Sequence, residues 1–246
     1  MKILVCVSNV PDTTTKITFT DNNTKFNTAG VQFIINPYDE IALTRALELT
    51  KDGTEGTVTV INVGDASTEP TIRKALAIGA NDAIRVNTNP LDGYYVAKQI
   101  AHIAKENKYD IILTGRESID YNGSEVADMI AELLDLPSIP NVKKLDINGT
   151  TATIESEIEG GKEVVTVPVP FVASASEGMA EPRIPNMRGI MSARTKPLNV
   201  VNPTEASQHT EIVAYETPKP RGTVKLIQAD QVETLVDLLH TEAKII

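Results

Sequence analysis

Short β-branched runs alternate with helical stripes through the first half of this chain, and few architectures accept that alternation. Ile3–Val7, Thr57–Val63, Ala83–Val86 and Tyr109–Thr114 are largely apolar, as strands covered on both faces of a parallel sheet are. Between them Ala42, Leu43, Ala46 and Leu47 form one stripe, and Ile72, Ala75 and Leu76 a second. Val96, Ala97, Ile100, Ile103 and Ala104 form a third, and Val126, Met129, Ile130, Leu133 and Leu134 a fourth, all at helical spacing. Asn36-Pro37 sets an N-cap residue before a first-turn proline, with acidic Asp39 and Glu40 where the helix dipole favours them. Gly79 stands where a helix should stop. Right-handed strand–helix–strand crossovers follow, so the reading is α/β: a Rossmann-like three-layer sandwich with a mostly parallel sheet.

Two β additions interrupt the pattern. Lys16–Thr20 and Lys25–Asn27 flank the polar turn Asp21-Asn22-Asn23 and predict a small hairpin. Lys143–Ile147 and Thr151–Ile158 flank Asn148-Gly149, the dipeptide of a type I′ turn. Glu163–Val169 and Phe171–Ser174 continue the β region, with Pro168 and Pro170 confining the former to an edge or a strand end. From Ser176 the chain becomes rich in Pro, Arg and Met, and from Pro197 it reads as an extended arm ending in a helix with Val232, Leu235, Val236 and Leu239 on one face. Such an arm has no core of its own. Residues 1–196 are therefore read as an α/β domain with β additions, and residues 197–246 as an extended arm that needs another surface, either the parent domain or a partner subunit.

A net charge of −10 argues against a nucleic-acid partner and against an anionic membrane surface. The single cysteine excludes a disulfide framework and any thiolate metal site built by this chain alone. No apolar run reaches the ~20 residues of a membrane span, and the short run at Ile3–Val7 reads as a strand rather than a secretory segment. The expected location is the cytoplasm, or the mitochondrial matrix in a eukaryote.

The strongest local signal is Thr114–Glu125, which leaves a buried strand at its carboxyl end, crosses a polar loop and enters the fourth helix. Open α/β sheets bind ligands at that edge. Gly123 offers conformational freedom, and Ser124 is a candidate N-cap whose helix would present free N–H groups to a phosphate. An ordinary capped βα loop fits the pattern equally well. Asn36–Glu40, Val63-Gly64-Asp65 and Cys6-Val7-Ser8 lie at the same rim, and such convergence is what a nucleotide site requires. Neither the P-loop nor the dinucleotide glycine fingerprint is present. His102, His209 and His240 are scattered, and Cys6 sits in a strand as an inert thiol would. Nothing in the pattern argues for hydrolysis.

Taken in order, these segments resemble the β subunit of electron-transfer flavoprotein. The likeness is carried by Asn36-Pro37-Tyr38-Asp39-Glu40-Ile41-Ala42, by Thr71–Ala80 and by Gly115-Arg116-Glu117-Ser118-Ile119-Asp120. Glu157–Glu163 looks like the family's signature stretch, and Glu181-Pro182-Arg183 leads to Ile190-Met191 and the basic tract Arg194–Lys196. The resemblance implies a heterodimer with an α subunit that holds most of a FAD, and electron passage from acyl-CoA or other dehydrogenases to a membrane quinone oxidoreductase, as in fatty acid oxidation. It implies a structural AMP in this subunit. The adenine would meet the strand ends at Cys6 and Val63, while Asn36, Pro37, Tyr38 and Asp39 and the loop residues Gly115, Arg116, Ser118, Ile119, Asp120, Asn122, Gly123, Ser124, Glu125 and Val126 would hold ribose and phosphate. It implies a recognition loop whose anchor is Met187, rimmed by Arg183 and Arg188, and an arm that embraces the α subunit.

Ser156 stands where the signature usually has Lys or Arg, and Asp120–Val126 departs from the Asp-Gly-Asp-Thr-Ala-Gln-Val of electron-bifurcating relatives, which carry a second FAD here. AMP and a simple shuttle are therefore favoured over bifurcation. A stand-alone adenine-nucleotide-binding regulator would end after the core domain, and an enzyme acting on a nicotinamide or adenylate would need motifs this chain lacks.

Overall fold

In the computed structural model, which describes residues 1–51 and 56–246, the alternation is realised strand by strand. The chain runs β1 (Lys2–Cys6), β2 (Asn9–Pro11), β3 (Phe19–Thr20), β4 (Lys25–Phe26), β5 (Phe33–Ile35), α1 (Pro37–Leu49), β6 (Thr57–Val63), α2 (Glu69–Ile78), β7 (Asp82–Val86) and α3 (Gly93–Asn107). It continues through β8 (Ile111–Gly115), α4 (Val126–Leu134), β9 (Ser138–Asn148), β10 (Thr151–Ile158), β11 (Gly161–Pro168), β12 (Phe171–Ala175), α5 (Met187–Ala193), β13 (Leu198–Val201) and α6 (Val232–Leu238). A nine-stranded sheet has the order β11-β10-β9-β12-β8-β1-β6-β7-β13. Every ladder from β9 to β13 is parallel, and the β9–β10–β11 meander is antiparallel.

Both faces of the parallel region are covered, which explains the unbroken apolar runs. Ile3, Val5, Val58, Val60, Ile111, Leu113, Phe171 and Ala173 join residues of α1, α2 and α5 in one core. Leu4, Cys6, Ile61, Val63, Ile112 and Val172 join residues of α3 and α4 in the other. Neighbouring residues of β1 alternate between the two, as a strand's two-residue period demands. From β1 the winding moves to β6 and β7, then returns to the opposite side of β1 with β8. The reversal opens a crevice at the carboxyl ends of β1 and β8, where sheets of this kind bind ligands.

The β additions differ in detail from the sequence reading. Asn148 pairs with Thr151, so Gly149-Thr150 is the two-residue loop, and only Gly149 is left-handed at φ 62°. One positive φ at the first loop position is the pattern of a type II′ turn, so Asn148 stays in its strand instead of entering a type I′ turn. Asp21, Asn22 and Asn23 are all left-handed in the β3–β4 hairpin, and a second ribbon, β2 with β5, closes its base. β11 is the sheet's edge with Pro168 at its end. The span assigned to the arm gives its first residues, Leu198–Val201, to the sheet as the opposite edge strand beside β7. Beyond them Ala206 still packs against the α3–α4 core, and no residue of α6 is buried.

Candidate functional site

The crevice is built around one buried carboxylate. Asp39, 3% exposed, lies in the first turn of α1. Its Oδ2 accepts from the Ser8 N–H at 2.7 Å, and its Oδ1 accepts from the Gly115 N–H at 2.8 Å and from Asn36 Nδ2 at 3.1 Å. A single side chain thus joins the chain beyond β1 to the end of β8, the two lips of the crevice. Burial pushes its pKa from 3.8 up to about 7, against the downward pull of these hydrogen bonds. Asn36, also buried, donates to Glu117 O at 2.8 Å and accepts from the Ile119 N–H at 3.2 Å. It occupies the N-cap position before Pro37, yet its side chain makes no cap hydrogen bond. The amide serves the loop after β8 instead.

Gly115 fits because it has no side chain. An added Cβ would fall on Asp39 Oδ1, lie 2.7 Å from Tyr38 Cβ and sit 2.9 Å from Asp39 N. Beyond it Arg116 lies over the Tyr38 ring at 5.0 Å and pairs with Glu117 at 2.7 Å. That pairing, ahead of other causes, holds the Glu117 carboxyl below its ordinary value. The Ser118 carbonyl accepts from the N–H groups of Tyr121 and Asn122. Asp120 through Glu125 are exposed, and Val126 begins α4 half-buried.

Two expectations about this loop change. The left-handed residues are Asn122 and Ser124, with φ 52° and 51°, while Gly123 is not among them. Ser124 is not the N-cap of α4. Glu125 holds that position without a side-chain cap, and the Ser124 hydroxyl donates to Glu117 at 2.9 Å. The first-turn amides of α4 are therefore left without a side-chain cap, beside exposed main chain.

Cys6 and Val63 close the rim's floor, both buried against α3 and α4. Burial pushes the Cys6 thiol far above its ordinary value, and the Asp39 charge adds to this, so the thiol is inert. Sequence reasoning missed Asn62, which donates to Val7 O at 2.8 Å while its buried Oδ1 has no partner among the described residues. Its only signal was a polar residue within an apolar strand. Asp92 was also missed, although an aspartate before a helical stripe is a cap signal; it caps α3 by accepting from the Tyr95 N–H at 2.7 Å.

Met187, Arg183 and Arg188 lie apart from the crevice. Met187 opens the short helix α5 and is 72% exposed. Gly189 rests on the Ala77 carbonyl of α2, with no room for a Cβ. Arg73 donates to Ala193 O and Lys196 O, each at 2.9 Å, so the segment is held by α2. Arg183 pairs with Glu48 of α1 at 3.3 Å. Exposed Ile184, Ile190 and Met191 extend the apolar surface around Met187 beyond the residues singled out from the sequence. Among the described residues no cluster of His, Cys, Asp and Glu could hold a metal ion, and no helix is long and apolar enough to cross a membrane.

Comparison with known proteins covers most of the chain. A family model described as electron transfer flavoprotein domain matches residues 23–206. The chain is 35% identical to electron transfer flavoprotein subunit beta of Bacillus subtilis (strain 168), with all of both chains covered. It is 36% identical to the same-named protein of Syntrophomonas wolfei subsp. wolfei, covering 90% of this chain and 88% of that one. The mitochondrial beta subunit of Oryza sativa subsp. japonica is 31% identical over the full length of both. A crevice at the sheet's switch point, an arm without a core and this end-to-end likeness lead to one assignment: the chain belongs to the electron transfer flavoprotein family, among its β subunits.

Proposed function

We propose that this chain is the β subunit of a heterodimeric electron carrier and holds an AMP at the β1/β8 crevice. It would serve acyl-CoA or related dehydrogenases on one side and a membrane quinone oxidoreductase on the other. The observation that carries the heterodimer is the arm: α6 keeps Val232, Leu235 and Val236 on its surface at 59%, 42% and 50% exposure. An apolar face of this kind needs a second surface to cover it. An α subunit fits that need, and it would hold most of the FAD, which supplies the redox chemistry. This chain then works as scaffold and docking surface rather than as a catalyst.

The crevice suits a mononucleotide in three ways. Asp39 and Asn36 fix its lips through the main chain, so their side chains shape the site by placing backbone. The uncapped first turn of α4 offers amides and a positive dipole end to a phosphate. Arg116, half-buried over Tyr38, is the one cation of the Thr114–Val126 stretch. At Cys6 and Val63 the base would be read by main-chain groups, which tolerates unlike side chains there. Glu117 and Glu125 set negative charge beside the loop and favour one phosphate over the pyrophosphate of a second FAD.

The test is co-expression with a candidate α chain, heat release and chromatography of the bound nucleotides. One AMP and one FAD per heterodimer supports the shuttle. Two FAD would replace it with bifurcation. A stable nucleotide-free monomer would overturn both.

A further inference from the structure

Beyond β13 the chain is held at three points as it crosses the rim. Gln99 of α3, 1% exposed, clasps Thr204: its amide donates to Thr204 O at 2.8 Å and its Oε1 accepts from the Thr204 N–H at 2.7 Å. Asp92 is the second point. One oxygen caps α3, while Oδ2 accepts from the N–H groups of both His209 and Thr210. The His209 ring meets Tyr94 edge-on at 4.5 Å. Tyr215 is the third point. Its N–H donates to Asn23 O at 2.7 Å, and its ring stacks on Phe19 of β3 at 4.7 Å and 7°. Its side chain also reaches the Tyr121 hydroxyl.

These points bracket the loop before α4. Tyr121 touches the third, and Gly93, next to Asp92, lies so close to the Glu125 carboxylate that a Cβ would collide with it. Thr210 to Tyr215 is five residues, a reach of about 17 Å when extended, which is enough to run the length of Tyr121–Glu125. Residues without secondary structure stay fixed only where contacts offset their entropy. Here a buried amide, a capping carboxylate and an aromatic stack do so in succession.

We propose that residues 209–215 form a strap along the crevice mouth, pinned by Asp92 and Tyr215, which must release before a nucleotide bound along Tyr121–Val126 can leave. The strap rests on the nucleotide reading above and adds a gate to it. It also fixes where the rest of the arm departs toward the α subunit.

The experiment loads the purified heterodimer with labelled AMP, chases with unlabelled AMP and follows dissociation. Tyr215→Ala should speed dissociation about tenfold, the scale expected for losing an aromatic stack and its neighbouring contacts. Tyr215→Phe, which keeps the stack, should have a smaller effect, and Asp92→Asn should loosen the other pin. Saturating AMP should still fill one site in each variant. Should Tyr215→Ala fail to assemble, Tyr215→Phe and Asp92→Asn still decide the matter. AMP bound with dissociation unchanged in every variant that assembles overturns the strap and leaves the nucleotide site standing. An unmodified heterodimer that holds no AMP overturns both.

Discussion

Asp39 offers a prediction whose sign rests on burial outweighing the hydrogen bonds its carboxylate accepts. Its folded pKa is raised from 3.8 to about 7 by burial, so between those values the folded chain binds a proton that the unfolded chain has lost. Linkage then makes the contribution of this group fall as pH rises. The stability is fully present below the unfolded value and is lost as pH climbs through the folded one. At 1.36 kcal/mol for each unit, the whole shift is worth roughly 4 kcal/mol, of which about 3 kcal/mol is lost between pH 4.5 and 8. Asp39→Asn keeps the shape and removes the titration. It also turns an amide donor toward the Ser8 or Gly115 N–H, a pH-independent penalty of about 1–3 kcal/mol. The measurement is urea unfolding of both proteins across that pH range, with the m-values compared to check that the unfolded states match. Subtracting one from the other cancels every other titrating group. The Asn variant should gain on the natural chain by about 3 kcal/mol from the acid end to the alkaline end. A difference that stays flat, or moves the other way, would refute the reasoning about the buried carboxylate.

Gly115→Ala should cost about 2–3 kcal/mol in the same assay, because its Cβ would meet Asp39 and main chain rather than a movable side-chain tip; a loss under about 0.5 kcal/mol would show that the β8 lip yields easily. Met187→Ala should reduce electron delivery from the dehydrogenase while flavin content holds, measured by steady-state transfer and by absorbance. Equal loss of flavin and transfer would remove Met187 from the docking role. Ending the chain after Glu216, just past the Tyr215 anchor, should leave the β subunit folded by circular dichroism and abolish stable association with the α subunit on gel filtration. Retained association would place the main contact elsewhere.

The strands were legible where physics made them loud. With α1, α2 and α5 on one face and α3 and α4 on the other, the parallel strands had to be apolar at every step, and that signal is local. β2, β5 and β13 were illegible because three or four residues carry no period, and their pairing is decided by distant partners. The turn at Gly149 moved by one residue for a related reason: register answers to the whole β9–β10 ladder and not to the dipeptide alone. At the rim the residue types were readable and their work was not. Asn36 looks like a cap because Asn before Pro usually is one. Beside Asp39, its partners are Glu117 and Ile119, more than 80 positions away. Likewise the arm's extended character was plain, while the stacking of Tyr215 on Phe19 leaves no local trace.

That division bears on how such a site tolerates change. The polar side chains that a reader would assign to a ligand, Asn36 and Asp39, have their hydrogen bonds committed to the main chain of Ser8, Gly115, Glu117 and Ile119. What they leave for a ligand is backbone, the open first turn of α4 and the side chains of the Arg116–Glu125 loop. A nucleotide met mainly by backbone would be insensitive to the side chains along the floor, which leaves Cys6 and Val63 to the apolar core beneath them. The same site is sensitive to anything that moves the backbone: a methyl at Gly115, or a carboxylate that no longer holds both lips. A buried charge with no cation beside it costs stability, and in return one residue sets the separation of β1 from β8. Substitutions at Asp39 should therefore alter nucleotide affinity and folding together, whereas Cys6→Ala should reduce stability through lost packing and leave affinity in place. Titrating AMP into each folded variant separates the two cases, and a Cys6→Ala protein that binds AMP much more weakly would show that side chains, not backbone, do the reading.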